Sequence, residues 1–301
     1  MSSTHINAEV EVVASALPPV NKGAAKAVSV DALLPEDCAE ALGFLSLRPI
    51  HTVFMAGLML DNGLVSPFNR GEFYGHRNAL GELEAVALIG QKTVIEAHSE
   101  EAFESLMRLA LRHPKLQLIR GEENRMELLL EHLSRTGQAP RLICREFLLE
   151  QTSVLKGLEP VEELCNAAPH DLEQIIAINS AMALEETGSN PLKRDLKGMM
   201  ERTLCRIERG RVWMLARAGK IVFKAEVISA MPQAVFLEGI YVHPEERGRG
   251  VGSRCLTQLG SVLLERVTSI TLVVNQENRR ALALYQRLNY QLRSPYLTVY
   301  F

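Results

Sequence analysis

Between residues 244 and 255 the chain reads PEERGRGVGSRC, with Arg247 and Arg249 interleaved among Gly248, Gly250 and Gly252. Apolar residues follow at Val251, Cys255, Leu256, Leu259, Val262 and Leu263, which is one face of a helix beginning among the glycines. A helix N-terminus presents unpartnered N–H groups and a partial positive charge, and glycines let an anion approach without side-chain obstruction. The two arginines add charge-assisted donors. This spacing suits the cradling of a pyrophosphate, although glycines between a strand and a helix also serve as a plain tight turn. Two other phosphate motifs do not fit. A P-loop needs Lys then Ser or Thr after its glycines, which GRGVGSR lacks, and GxGxG is not the dinucleotide fingerprint GxGxxG.

The elements that must hold this loop are legible on both sides of it. The strand VFLEGIYV precedes it, and after its helix come a strand SITLVVN, a helix NRRALALYQRL and a terminal strand YLTVYF. Upstream, PHDLEQIIAINSAMALEE and PLKRDLKGMMERTLCRIER are helical, followed by strands RVWMLARAG and KIVFKAEVISA. The first half runs in the same order. A helix PEDCAEALGFL leads to strands GEFYGHR, ELEAVALIG and KTVIEAH, a helix SEEAFESLMRLALRH, a strand KLQLIRG, a helix NRMELLLEHLSRT and a strand RLICREFLLEQ. IRGEENRMELLLEHL echoes VVNQENRRALALYQRL at the matching place, so we expect two copies of one mixed α/β fold joined near SVLKGLEP. Residues 1–30 lack periodicity and read as a flexible tail, with order starting near Pro35.

Composition narrows the function classes. The chain has 301 residues, enough for two domains, with 47% hydrophobic and 23% charged residues and a net charge of -3. That balance argues against nucleic acid as a partner. No apolar run nears the roughly 20 residues of a membrane span, and the N-terminus does not read as a secretory signal, so the expected location is the cytoplasm. Five cysteines without CxxC or Cys/His spacing point to neither a disulfide framework nor a metal site.

Arg247, Gly250 and Gly252 form R-x-x-G-x-G. Together with LEGIYVHP before it, LVVN ending at Asn275, and the helix carrying Asn278, Ala281 and Tyr285 ahead of LNY, the region of residues 165–301 resembles the GNAT acyltransferase superfamily. EETGSNP, VFKAE, RGRGVG and VVNQEN look more narrowly like bacterial tandem proteins in which a GNAT-like domain of unassigned role precedes an acetyltransferase domain. The resemblance implies a fold of two tandem GNAT-like α/β (α+β) domains, each a mixed, mostly antiparallel twisted sheet flanked by helices. The expected boundaries are a tail at 1–30, a degenerate domain at 31–152 and an acetyltransferase domain at 160–301. It also implies acetyl-CoA as co-substrate, no metal, and direct transfer to an amine of a small molecule or peptide.

The site residues follow by carry-over. The resemblance places the pyrophosphate on Arg247, Gly248, Arg249, Gly250, Val251, Gly252 and Ser253, and the pantetheine arm on the strand backbone at Ile240, Tyr241 and Val242. Gly239 marks a bulge that splays this strand from its neighbour. Tyr285 matches the tyrosine that protonates the departing thiolate, and its spacing with Ala281, Leu284 and Leu288 equally suits a core tyrosine. Asn275 and Asn278 cap the strand-to-helix junction and are both cofactor-binding candidates, Asn278 as a partner of the pantetheine or of the loop. Glu238 is the candidate base, and Glu185, Glu186 and Glu226 are candidates for gripping a cationic acceptor; a solvated face or a structural ion pair is the competing reading for all four. Cys255 is a packing residue, and His243 a surface one.

The first copy has no glycine before SEEAFESLMRLA, and Glu100, Glu101 and Glu104 would repel a pyrophosphate there. Glu131 stands where Tyr285 would be. We expect this copy to serve as a substrate wall, a dimer surface or a support, so a homodimer is compatible with the sequence. Two alternatives remain at this stage. FLEGIYV looks like the corresponding strand of aminoglycoside 6'-N-acetyltransferases, suiting polyamine-like acceptors, and a non-catalytic acyl-CoA sensor would need only the cradle.

Overall fold

The computed structural model describes residues 28–301, apart from residues 156, 158 and 191 and the side chain at 194. The first half contributes β1 (Ser29–Ala32), α1 (Cys38–Leu45), α2 (Pro49–Asn62), β2 (Gly71–Arg77), β3 (Leu83–Gly90), β4 (Lys92–Ala97), α3 (Glu100–Leu111), β5 (Leu118–Glu122), α4 (Glu123–Thr136) and β6 (Leu142–Gln151). The second repeats the order with β7 (Cys165–Asn166), α5 (Leu172–Thr187), α6 (Leu192–Glu208), β8 (Val212–Arg217), β9 (Lys220–Ala230), β10 (Ala234–Val242), α7 (Val251–Leu264), β11 (Ser269–Asn275), α8 (Arg279–Arg287) and β12 (Gln291–Tyr300). The expected α/β class and tandem arrangement are both present.

All twelve strands join one sheet in the order β1-β2-β3-β4-β5-β12-β6-β11-β10-β9-β8-β7. Each half lends its last strand to the other. β6 pairs antiparallel with β11 and β12 of the second half, while β12 pairs antiparallel with β5 and β6 of the first. The cores are exchanged with the strands. Leu297 and Val299 of β12 are buried with Phe103, Leu106 and Leu129 of the first half, and Leu149 of β6 is buried with Leu256, Leu259 and Leu272 of the second.

Two sequence expectations are corrected. Order begins before Pro35, because β1 pairs Ser29–Ala32 with Arg77–Tyr74 at the edge of the sheet; the rest of the expected tail, residues 1–27, lies outside the described residues. The second is PIHTVFMAGLMLDN, which shows no clear period in the sequence and forms α2. Its apolar residues surround the helix because it is buried on two sides. Val53, Met55, Ala56 and Met59 pack with Phe44 and Leu88 of the first half and with Met231, Ala234 and Phe236 of the second. Ser229 of β9 donates its hydroxyl to the carbonyls of Val53 and Phe54, both at 3.0 Å.

Candidate active site

β10 and β11 run parallel and pair only from Ala234–Ser269 to Leu237–Leu272. Beyond that point β11 stays on β6 as far as Asn275, and β10 stays on β9. The cause lies in β10. Its register against β9 slips between Glu238 and Tyr241, where Gly239 has φ +63°. A side chain there would suffer twice, since the conformation is left-handed and a Cβ would lie 2.7 Å from Lys224 Nζ. Lys224 is fully buried beneath the bulge and donates to the Gly239 carbonyl at 2.8 Å and to Glu226 Oε1 at 2.7 Å. The two strands therefore separate at Glu238, leaving Ile240, Tyr241 and Val242 half-buried along an unpaired edge.

That edge leads to the N-terminus of α7. Gly250 is its N-cap, with φ +78°, and no side chain caps the helix. A Cβ on Gly250 would meet nothing within 4 Å, so the glycine is required by its backbone conformation while the space beside it stays open. Val251, Gly252 and Ser253 form the first turn, whose amides have no intrahelical acceptor. Arg247 and Arg249 are exposed beside it. Arg247 Nε donates to the Val242 carbonyl at 3.0 Å, and Arg249 lies 3.4 Å from Glu246. The mouth accordingly has the donors and the room that a diphosphate requires.

Across the splay stands α8. Asn278 caps it, accepting from the Ala281 amide at 3.1 Å, and Asn275 Oδ1 accepts from the Glu277 amide at 2.8 Å. Tyr285 is buried with its ring centroid 5.4 Å from that of Tyr290. Burial, then the nearby charge of Glu186, pushes its phenol well above the ordinary value. Its hydroxyl has no hydrogen-bond partner among the described residues.

Four carboxylates were singled out from the sequence, and their surroundings differ. Glu226 is buried and already engaged by Lys224, by Arg206 Nε at 2.9 Å and by Asn179 at 2.8 Å. Burial opposes its charge, yet Lys224 and Arg206 overcome this and hold its pKa down at about 2. Glu238, at the point of the splay, is about one third exposed, with a side-chain accessibility of 36%. It accepts from Lys92 Nζ at 2.9 Å and Arg120 at 3.4 Å. Those two charges outweigh the desolvation that would raise its pKa and keep it below the usual carboxylate range. Glu185 and Glu186 are exposed at the end of α5. Glu186 is shifted upward, first by loss of hydration and then by the charge of Glu238.

Residues 180–290 match the family model described as Acetyltransferase (GNAT) family. This segment is a GNAT domain. A thialysine N-epsilon-acetyltransferase of Bos taurus is 41% identical over 58 residues, which is 19% of this chain and 34% of that protein. The matched segment thus spans about a third of that relative's length. Among solved structures, a Drosophila protein superposes with TM-score 0.64 at 13% identity, covering 90% of this chain and 98% of its own. A tandem GNAT protein from the clavulanic acid biosynthesis pathway gives 0.55 at 13% identity, covering 91% and 98%. At such identities these two share the fold, and the second shares the tandem arrangement.

The first half repeats the splay of the GNAT domain and fills it. β4 and β5 are parallel and pair from Lys92–Leu118 to Val94–Arg120, after which β4 stays on β3 and β5 on β12. Arg48 occupies the gap, donating to Glu96 at 2.9 Å and Glu122 at 2.7 Å, and His51 lies 3.0 Å from Tyr296 Oη. About 20 Å³ is left, roughly room for one water. At the head of α3, Ser99 already caps the helix, and Glu100 and Glu101 occupy its first turn.

Residues of the first half reach the GNAT domain all the same. Lys92 and Arg120 were not singled out from the sequence, although a lone cation in each of the buried strands KTVIEA and LIRGE was a signal. No sequence pattern says which carboxylate such a cation meets. Among the described residues no group of three or more His, Cys, Asp or Glu is placed to hold a metal, and no helix is long and apolar enough to cross a membrane. Cys255 is buried, which pushes its thiol up to about 12 and leaves it a packing residue.

Proposed function

We propose that the protein is an acetyl-CoA-dependent N-acetyltransferase that acylates a primary amine directly, with one cofactor site per chain, in the GNAT domain. One observation carries this reading. The edge left open by the β10–β11 splay runs from Glu238 to the uncapped mouth of α7, and Tyr285 is buried in the core cluster against which Ile240 and Val242 of that edge pack. The filled gap between β4 and β5 supports a single site.

Bound acetyl-CoA supplies an activated thioester. Arg247, Arg249 and the amides of residues 248–253 hold its diphosphate, and the backbone of Ile240, Tyr241 and Val242 lines the arm. Asn275 and Asn278 hold α8 against β11, which sets the position of Tyr285. Lys92 and Arg120 favour the carboxylate form of Glu238 against its desolvation, and this carboxylate attracts an ammonium and takes its proton directly or through water. Tyr285, kept protonated by burial, delivers a proton from Oη to the leaving group. Cys255 has no role, since direct transfer forms no covalent enzyme intermediate.

Calorimetry with acetyl-CoA, coupled to a free-thiol assay over an amine library, tests the proposal. One equivalent bound and amine-dependent thiol release are expected. Binding without release for any amine would leave a ligand sensor in place of an enzyme.

A further inference from the structure

A cleft of about 510 Å³ opens over the sheet between α2, α5 and α6. Glu238 lines it, and so do Lys92 and six arginines, with Asp61 and Asp195 the other side-chain carboxylates among the described lining residues. Four of the arginines are matched. Arg202 meets Asp195 at 2.8 Å, Arg206 meets Glu226 at 2.9 Å, and Arg209 and Arg211 share Asp61 at 3.4 and 2.8 Å.

Arg70 and Arg141 have no carboxylate partner among the described residues. Arg70 is exposed to the cleft and donates to Gln91. Loss of hydration, followed by the charges of Arg202 and Arg206, pushes its pKa down to about 10 against the pull of Asp195, so it remains a cation at neutral pH. Arg141 donates to the Thr187 carbonyl at 2.9 Å, and its guanidinium lies 5.4 Å from the Tyr300 ring centroid. Arg206 lies near enough to both Arg70 and Glu238 to shift each, which ties the arginines to the proposed base.

We propose that the acceptor is an amine carrying a carboxylate or phosphate group, whose anionic oxygens are held by Arg70 and Arg141 while its amine faces Glu238. This rests on the acetyltransferase reading above. A guanidinium without a counter-ion in a concave, partly dehydrated site attracts oxyanions and binds them in a bidentate fork. A polyamine or an aminoglycoside would instead bring several ammonium groups into a cleft with excess positive charge. The cleft therefore turns against the polyamine-like acceptor suggested by FLEGIYV.

The whole chain, saturated with CoA to occupy the α7 mouth, is titrated with inorganic phosphate and separately with succinate, and thermal stabilisation is read. Both anions should stabilise the wild type, with apparent affinity falling roughly ten- to hundred-fold in the Arg70→Ala/Arg141→Ala double variant. Turnover is then compared for an amino acid, an amino-sugar phosphate, spermidine and a simple monoamine. The first two should lead, their order distinguishing carboxylate from phosphate, and Arg70→Ala should raise the acceptor KM more than it lowers kcat. Anion affinity unchanged in the double variant, or spermidine or the monoamine ahead of both anionic acceptors, overturns the proposal. If acetyl-CoA binds normally in calorimetry, such a failure is confined to the acceptor; no acetyl-CoA binding removes the parent reading and this one together.

Discussion

Lys92 Nζ lies 2.9 Å from Glu238 Oε1, although β4 and β10 are separated in the sheet by four other strands. The sheet curves far enough for two cations of the first half to lower the pKa of a carboxylate in the GNAT domain. Lys92 also sits 4.1 Å from the Phe54 ring centroid of α2, so the helix shared by both halves fixes the contact.

Removing that cation should change the pH dependence of the reaction. Glu238 has a lowered folded-state pKa, so it is ionised, and able to accept a proton, above that value. Lys92→Met should move the acid limb of kcat/KM to higher pH, with Arg120 retaining part of the effect. A pH–rate profile reads this directly, and an unmoved limb would remove Glu238 as its source.

Exchange of Glu238 for Gln should lower kcat by about 10²–10⁴-fold, the usual range for a lost general base. Glu186→Gln provides the comparison, because its carboxyl is shifted upward and lies close to Glu238. A larger loss at Glu186 would transfer the role to it.

Tyr285→Phe should leave acetyl-CoA affinity intact and slow turnover by a factor on the order of 10² or more. The phenol makes no hydrogen bond to the described residues, so little stability should be lost. Unchanged turnover would reduce Tyr285 to a packing residue.

Gly250→Asp should abolish cofactor binding, by adding negative charge at the α7 mouth and forcing a side chain into the left-handed region. At about 100 times its dissociation constant, acetyl-CoA should stabilise the wild type by about 2.7 kcal/mol and this variant by none. Differential scanning calorimetry measures both.

Leu297→Ala, a change late in the sequence, should loosen the first half by about 2–5 kcal/mol, because Leu297 is buried against α3 and α4. Hydrogen exchange in those helices is the readout. Residues 28–152 and 160–301, made separately, should each fail to fold, and folding should return on co-expression.

Acid should unfold the protein partly through Glu226. Its folded pKa of about 2 lies below the ordinary glutamate value, so its stabilisation is complete above that ordinary value and is lost as pH falls toward 2. Lys224→Met, which strips one partner from this buried pair, should cost about 3–5 kcal/mol at neutral pH and bring acid unfolding to higher pH. Denaturant titrations across pH check both.

The sequence carried the local features well. Period-two and period-3.6 patterns placed β8, β9 and β10 within two residues of their ends, Gly239 announced the bulge, and Asn278 announced a cap, because each of these is decided by neighbours in the chain. α2 was not legible, since a helix buried on two sides has no polar stripe to reveal its period. Nor was the setting of Glu226, whose partners Asn179 and Arg206 come from separate helices.

The amino-acid sequence by itself determined two copies of one element order, a phosphate-suited mouth on α7, and the absence of such a mouth on α3. These depend on side chains and backbone conformations within a few residues of one another. Only the tertiary structure decided that β6 and β12 change places, that Lys92 and Arg120 face Glu238, and that Arg70 and Arg141 share a cleft with no carboxylate partner among the described residues. Backbone hydrogen bonding in a sheet is blind to sequence separation, so which strand completes which half, and which charges then meet, is settled by the packing of the whole chain.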